Sequence, residues 1–364
     1  MSKRVLILSN HFITLYNFRK ELITKLIDDG YEVIISMPES DDNIFFGNMG
    51  CKIITTPVDR RGINPIRDIR LILNYIKIMK KLNPDIILSY TIKPNIYGSI
   101  ASNLTKKKQI NNITGTGATF LKTNFVSLIA KMLYRVSIKR SYKVFFQNSG
   151  DKELFIRNKM IKNNYAMLPG SGVNLNQYII SDFPSDEEIN FIFIGRIMAL
   201  KGIDEYLECA KVIQSRYHNT NFYIAGFIEE NRFKETINDY HEKGIINYIG
   251  FQKDIKSWIQ KCHCTILPSH GGEGVPNVLL ESAAMGRICI ASKIPGSIEV
   301  INDGETGYLF ETGNAVDLVD KVEKLLELNF QEKKHMGLAG RQKIEQEFDR
   351  NIVVETYLKE IENI

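Results

Sequence analysis

Cysteine is scarce in this sequence: five in 364 residues, Cys51, Cys209, Cys262, Cys264 and Cys289. So few in so long a chain make no disulfide framework, which excludes a stapled secreted scaffold and favours a reducing cytoplasm. Cys262 and Cys264 flank His263, yet no second ligand pair follows at zinc-like spacing and the segment runs into apolar CTILP. These three residues therefore read as buried structure, with no metal expected. Long apolar runs are missing too. No window of about 18 residues is both apolar and uncharged, so no segment is expected to span a bilayer. The start MSKRVLILSN has an apolar core too short for a secretory signal. Repeats of about 20–50 residues and low-complexity tracts are absent, which excludes a solenoid.

The scarcity with most consequence is of one charge. Residues 101–150 hold nine Lys and Arg and no Asp or Glu. Residues 1–180 hold 27 basic and 12 acidic residues, net +15, and the remaining 184 hold 20 and 30, net −10. Such asymmetry inside a near-neutral total of +5 points to an anionic partner for the first half, membrane lipid or nucleic acid. The plain alternative is drift in surface composition.

What is present is a strand–helix rhythm, twice. Apolar runs at 4–8, 32–36, 52–56, 85–89 and 143–146 alternate with amphipathic segments such as IRDIRLILNYIKIMKKL at 66–82. The rhythm restarts with 189–195, 221–226, 246–251, 264–268 and 288–292. This predicts an α/β protein of two doubly wound, parallel-sheet domains, residues 1–173 and 189–347. A polar, turn-rich linker is expected at 174–188 and a last amphipathic helix at 348–364, which could pack back on the first domain. Two such domains facing across a cleft would present the carboxyl ends of both sheets to a ligand.

The second half carries the chemistry. In SHGGEGVPNVLLESAAMGR (269–287) a glycine-rich loop leads from a strand into a helix that Gly286 stops. Pro276 suits the first turn, and the amides of Gly274, Val275, Asn277 and Val278 would point from the helix start at an anion. Glu273 could take hydroxyls beside a phosphate, and Glu281, about two turns on, a second diol. Alone, this is equally an acidic helix start favoured by the dipole. A second loop, IGRIMALKGIDE (194–205), adds Gly195, Arg196 and Lys201 after another apolar strand. Two cations there could neutralise a diphosphate, bound and departing.

With GRIMALKG, YIGFQKDI, LPSHGGEGVPNVLLESAAMGR and NDGETGYLF, the chain resembles the GT-B retaining glycosyltransferases of family 4. LYNFRKELI, VDRRGINPIRDI, SYTIKPNIYGSIA and NNITGTGATF resemble the bacterial subgroup that builds O-antigen or capsule on undecaprenyl diphosphate. The resemblance implies Glu273 on the donor sugar, Glu281 on the ribose, Arg196 and Lys201 on the diphosphate, and Phe251 at the base. It implies a UDP-activated N-acetylhexosamine as donor, GalNAc first, and a polyprenyl-diphosphate-linked sugar as acceptor. Neither a metal nor another cofactor is implied. The chain departs from the pattern at Asn277, where a basic residue is frequent, and at Thr116, where leucine is usual.

In the first half, Asn10, His11, Tyr16 and Arg19 follow the first strand and are candidates for the cleft. A single histidine there is as often a hydrogen-bonder of the chain itself. Lys93 and Asn95 follow the fourth strand, and Gly115 and Gly117 suit close backbone approach. Residues 120–140 read as a helix apolar around most of its girth, with Lys131, Arg135 and Lys139 in a stripe at four-residue steps. Two readings stand: an interfacial anchor on the anionic inner leaflet, or a sheet-covering helix with snorkelling cations. Peripheral attachment to the cytoplasmic face of a bacterial membrane is the expectation, with a glycosyltransferase reading ahead of a sugar-nucleotide 2-epimerase. A nucleic-acid-binding module is the distant third, since no zinc-finger, RNA-recognition or helix-turn-helix signature occurs, and no nucleic-acid partner is expected.

Overall fold

A computed structural model describes residues 3–59, 64–117, 120 and 125–364. The opening of the expected 120–140 helix and part of VDRRGINPIRDI lie outside these residues. The chain forms two units, Met1–Ser171 with Arg350–Ile364, and Gly172–Asp349.

The first unit is a seven-stranded parallel sheet: β1 (Arg4–Leu8), β2 (Glu32–Met37), β3 (Lys52–Thr55), β4 (Ile86–Tyr90), β5 (Lys108–Ile113), β6 (Lys143–Phe146) and β7 (Tyr165–Met167). The order is β3-β2-β1-β4-β5-β6-β7, so the sheet reverses direction of growth between β1 and β4. The second unit has six parallel strands: β8 (Ile189–Ile194), β9 (Thr220–Ala225), β10 (Asn247–Gly250), β11 (Cys264–Leu267), β12 (Ile288–Ser292) and β13 (Gly307–Phe310). Their order, β10-β9-β8-β11-β12-β13, puts the reversal between β8 and β11. At such a reversal the loops leaving neighbouring strands part to opposite faces and open a crevice.

Near-continuous burial of β1, β2, β4 and β8 explains their legibility as apolar runs, since both sheet faces are covered. Helices Pro65–Leu82, Ile92–Thr105 and Phe125–Ser137 cover one face of the first sheet. Leu71, Tyr75, Met79, Ile96 and Tyr134 meet Leu6, Leu8 and Val144 there. The other face is covered by Phe12–Asp28 and, from the far end of the chain, Arg350–Glu362. Val353, Val354, Tyr357 and Ile361 pack with Leu15, Leu22, Ile7 and Phe145.

Two of the first unit's candidates are buried. Arg19 is 2% exposed, with its guanidinium 4.9 Å from the Tyr90 ring and 5.8 Å from that of Tyr357. A delocalised cation stacked on two aromatic faces holds the last helix against β4. Asn95 is likewise buried. Its Oδ1 accepts from the Ser89 hydroxyl at 2.7 Å and its Nδ2 donates to the Asn112 carbonyl at 2.8 Å. This network explains β5, which the apolar pattern does not reveal. In KQINNI, Gln109 donates to Ser89 Oγ at 2.8 Å and Asn111 to Ser99 Oγ at 2.8 Å, so polar side chains fill a central strand with their main donors bonded, while Gln109 Oε1, Asn111 Oδ1 and both Asn112 side-chain polar atoms are buried without a partner among the described residues.

The stretch 174–188, expected as a linker, belongs to the second unit. Arg287, 1% exposed, donates to the carbonyls of Ser181, Asp182 and Gln260. Lys333 pairs with Asp186 at 2.8 Å, and the Phe183 ring meets His263 edge-on at 5.4 Å. His263 accepts from the Asn190 amide through Nδ1 at 3.1 Å and lies 3.1 Å from the Ser185 carbonyl through Nε2. Both bonds suit one neutral tautomer, Nδ1 accepting and Nε2–H donating. Burial of the Cys262 and Cys289 thiols pushes each up to about 12, leaving them protonated packing groups.

Burial lowers His263 from 6.5 to about 4. A histidine lowered in the folded state stabilises the fold above its unfolded value and withdraws that stability as pH falls. We therefore expect the second unit to lose about 3 kcal/mol between pH 6.5 and 4 from this group. Denaturant titrations across this range should show the loss, and His263→Gln should flatten the part between pH 6.5 and 5, above the carboxylate range.

Candidate functional site

The second unit brings its motif residues together at the carboxyl ends of β8 and β11. The loop after β8 makes a 3₁₀ turn, Ala199–Lys201, and enters the helix Ile203–Arg216 through Gly202 at φ 71°. A Cβ on Gly202 would collide with the carbonyl oxygen of Pro268, in the loop after β11. Only glycine supplies both the left-handed backbone and the missing atom. The His270 amide then donates to the Leu200 carbonyl at 2.9 Å, tying the two loops along their backbones.

That closeness decides the electrostatics. Lys201 Nζ lies 2.6 Å from Glu273 Oε1, with both side chains under one-fifth exposed. Arg196 Nη1 lies 3.7 Å from Glu229 Oε1 and is more open, at 44%. Each cation is answered by a carboxylate, so an anion entering here would exchange partners instead of meeting bare charge. The less exposed Lys201–Glu273 pair is costly to break one-sidedly, because the carboxylate left behind would be largely buried without its counter-charge. The loop after β12 closes the third side: Gly296, at φ 98°, leaves no room for a Cβ against the Gly274 carbonyl.

The helix Asn277–Ala284 starts one residue after Pro276. Pro276 is thus the residue before the helix, not its first turn. Leu279 and Leu280 donate to the Pro276 carbonyl, which makes Asn277 and Val278 the residues whose amides open the helix. Asn277 and Glu281 are four apart and share a helix face. Asn277 Oδ1 and the hydroxyls of Ser292 and Ser297 are buried with no hydrogen-bond partner among the described residues. Polar atoms already withdrawn from water are available to a ligand at small further cost. Phe251 follows β10 and is 69% exposed, a flat apolar surface open to stacking. Gly195 is linked to this corner, its amide donating to Ala225 while Gly226 donates to Gly250.

One pair escaped the reading of the sequence. His270 Nε2 lies 2.9 Å from Glu205 Oε1, and Glu205 is 9% exposed. It holds the glycine-rich loop to the first turn of Ile203–Arg216. Neither residue stands out in sequence, because the two are 65 positions apart and only the fold makes them neighbours.

The first-unit candidates divide. His11 caps the helix Phe12–Asp28, its Nδ1 accepting from the Ile13 amide at 3.1 Å, which gives it a structural task. Asn10 is half-buried between β1 and that cap. Tyr16 lies against Phe12 and Phe45, ring centroids 5.3 and 4.9 Å away. Lys93 Nζ and the Tyr97 hydroxyl both reach Asp68, each at 2.7 Å, forming a compact polar triad after β4. Thr91, which ends β4, has φ 74°, rare for a β-branched residue, and its hydroxyl is buried without a partner among the described residues. Gly115 and Gly117 both take positive φ, 116° and 64°. Arg135 is exposed, while Lys131 and Lys139 are half-buried. Among the described residues, no three His, Cys, Asp or Glu side chains converge on a cation-sized space.

Comparison with known proteins places both halves. The profile "Glycosyl transferases group 1" matches residues 179–343, and "Glycosyl transferase 4-like" matches 4–148. The chain is 28% identical to a Campylobacter jejuni N,N'-diacetylbacillosaminyl-diphospho-undecaprenol alpha-1,3-N-acetylgalactosaminyltransferase, covering 98% of this chain and 97% of that protein. It is 25% identical to the Staphylococcus aureus capsular polysaccharide biosynthesis glycosyltransferase CapM, over 83% and 85% of the two chains. In fold it is similar to a Rickettsia africae glycosyltransferase, with TM-score 0.80, 19% identity and coverage of 100% and 98%. The same holds for Anabaena HepE in complex with UDP and glucose, with TM-score 0.81, 15% identity and full coverage of both chains.

Removing His270 leaves the buried Glu205 carboxylate short of its partner. We expect His270→Ala to destabilise the second unit by about 1–3 kcal/mol in denaturant melts, with His270→Gln recovering most of the loss. Equal stability of wild type and His270→Ala would show that the pair carries no load.

Proposed function

The chain belongs to the two-domain GT-B glycosyltransferases of family 4, and we propose that it transfers N-acetylgalactosamine from UDP-GalNAc to a sugar on a polyprenyl diphosphate. It is a polysaccharide-building glycosyltransferase, by the two family matches and by relatives named for capsule and undecaprenol-linked synthesis. The donor and acceptor follow the Campylobacter relative, whose likeness runs over 98% of the chain. The single observation that carries the reading is the Lys201–Glu273 pair beside the Asn277 helix start, an anion cradle next to a hydroxyl acceptor. Among the described residues no helix is long and apolar enough to cross a membrane, and the proposed attachment is peripheral, on the cytoplasmic face.

In the proposed complex the diphosphate takes Lys201 and Arg196 as counter-charges and the amides of Gly274, Val275, Asn277 and Val278 as donors. Lys201 thereby releases Glu273 to accept hydroxyls of the donor sugar. Glu281, one helical turn beyond Asn277, takes the ribose diol, and Phe251 stacks on uracil. As the C1–phosphate bond breaks, charge grows on the departing oxygen, and fixed cations and amides there lower the barrier. No nucleophilic side chain is assigned, so the anomeric configuration is kept by attack on the face the phosphate leaves. The acceptor hydroxyl gives its proton to the departing phosphate oxygen as the new C1–O bond forms. The charge of the diphosphate is balanced by these side chains and amides, and no metal is assigned a part.

Lys201→Ala is expected to lower kcat about 100-fold or more with a smaller change in KM, since its charge matters most as the phosphate departs. Glu281→Gln is expected to weaken UDP binding about tenfold, the worth of a hydrogen bond to a charged group, with kcat nearly kept. Normal kinetics in both variants would remove these roles. A panel of UDP-sugars with a polyprenyl-diphosphate-linked N-acetylhexosamine, read by mass, tests the substrates. Transfer from UDP-GalNAc supports the reading, and conversion of donor alone into an epimer overturns it.

A further inference from the structure

Four buried side chains of the first unit meet around polar atoms without a partner. Asn112, near the end of β5, is in register with Tyr90 of β4 on one side and Phe145 of β6 on the other. Register partners in neighbouring parallel strands send their side chains to one sheet face. The Tyr357 ring, from the helix Arg350–Glu362, meets both flanking rings, with centroids 6.3 Å from Tyr90 and 4.9 Å from Phe145. The Asn112 amide therefore faces Tyr357. Arg19 enters the same space from the helix Phe12–Asp28, its guanidinium 4.9 Å from the Tyr90 ring and 5.8 Å from that of Tyr357. Arg19, Tyr90, Asn112 and Tyr357 are each at most 2% exposed. Arg19 Nε, the Tyr90 and Tyr357 hydroxyls and both polar atoms of the Asn112 amide are buried with no hydrogen-bond partner among the described residues.

A cation this deep needs a counter-charge. Two aromatic faces supply part of it. No acid supplies the rest. Among the described residues Arg19 forms no ion pair, while Glu21 is held by Arg350 at 3.0 Å and Glu360 by Lys143 at 3.0 Å. Neither phenol ionises in its place, since burial raises both tyrosines above their ordinary value. A guanidinium N–H, two phenol O–H groups and a carboxamide NH₂ remain, and all of them can donate. Water would satisfy the hydroxyls and the amide and leave the charge unanswered. A phosphate or sulfate would bring two charges to one cation, and more acceptor oxygens than these donors can fill. We propose that one small monovalent anion of the halide class, chloride in ordinary solution, is held by Arg19 Nε, the Tyr90 and Tyr357 hydroxyls and Asn112 Nδ2. It joins the first helix, strands β4 and β5 and the last helix at one point. The carboxyl-terminal helix is then fastened to the sheet by its ion as well as by packing, and the stability of the first unit depends on which anion is present. This holds whether or not the chain transfers a sugar.

The test uses the full chain, with thermal midpoints read in sodium chloride against sodium gluconate at equal ionic strength. An ion bound by the folded chain alone raises the midpoint with the logarithm of its concentration. We expect a rise of about 5 °C between about 1 and 100 mM chloride, with bromide acting alike. Tyr357→Phe keeps the ring and deletes one donor. Without an anion, removing an unpartnered buried hydroxyl leaves the protein as stable or more so in every salt. With the anion, Tyr357→Phe is expected to need about tenfold more chloride for the same rise, the worth of one hydrogen bond to a charged group. Arg19→Met should lose the response altogether, and Tyr90→Phe with Tyr357→Phe takes its place should that variant not fold. Crystals grown in bromide should show anomalous scattering at hydrogen-bond distance from Arg19 Nε. A midpoint indifferent to the choice of anion, or an equal response in wild type and Tyr357→Phe, would overturn the proposal. So would a response lost in Arg196→Ala with Lys201→Ala and kept in Tyr357→Phe, which assigns the ion to the second unit. Bromide scattering without a chloride-dependent midpoint marks an adventitious ion only, and ordered water in place of bromide marks a hydrated cluster; either result also overturns it.

Discussion

The close approach of two loops, with Gly202 under the Pro268 carbonyl, is the constraint on which the second unit's site depends. It is set by the reversal of strand order between β8 and β11, where adjacent strands send their loops to opposite faces. Given that approach, Lys201 and Glu273 fall within 2.6 Å although 72 residues separate them. The pair keeps both charges solvated by one another while the site is without ligand. In the proposed complex a diphosphate would replace one carboxylate with a more highly charged acceptor and free Glu273 for hydroxyls, so that binding and preparation for transfer would be one exchange of partners.

The two halves of the chain divide the work by charge. In the acidic second half, net −10, the candidate cations Arg196 and Lys201 are each paired with a carboxylate. The first half, net +15, carries its surplus on a helical layer that also exposes apolar side chains. A carboxyl-terminal helix returns to the first unit and seals the opposite sheet face with Tyr357 over Arg19. The first sheet is therefore covered on both sides by different means: a packed, aromatic-lined face against Arg350–Glu362, and a layer of three helices whose outside is amphipathic.

Much of this was legible because fully buried parallel strands must be apolar from end to end. RVLIL, EVIIS, DIILS and INFIFI announced themselves for that reason. The strand KQINNI did not, because its buried polar side chains bond to Ser89 and Ser99, and no pattern in the segment itself reveals partners that distant. The same reasoning separates the site residues. Arg196, Lys201, Glu273 and Glu281 lie in motifs whose spacing encodes a strand, a loop and a helix start. Arg19, Asn95 and His11 are polar side chains as well, yet the fold uses them to stack, to bond to β5 and to cap a helix.

By itself the sequence determined the α/β class, the two sheets and the glycine-rich loops, since each follows from residues within about ten positions of one another, and the charge imbalance, which is a sum over whole halves. Only the tertiary structure decided that Glu273 meets Lys201, that His270 braces Glu205, and that residues 174–188 are packed by Arg287 and His263 and do not form a linker. It also decided that Leu104 joins Val136 at a basic cavity. Local patterns report the period of burial along one element. Which polar groups face each other depends on strand order and loop approach, and those are properties of the folded chain.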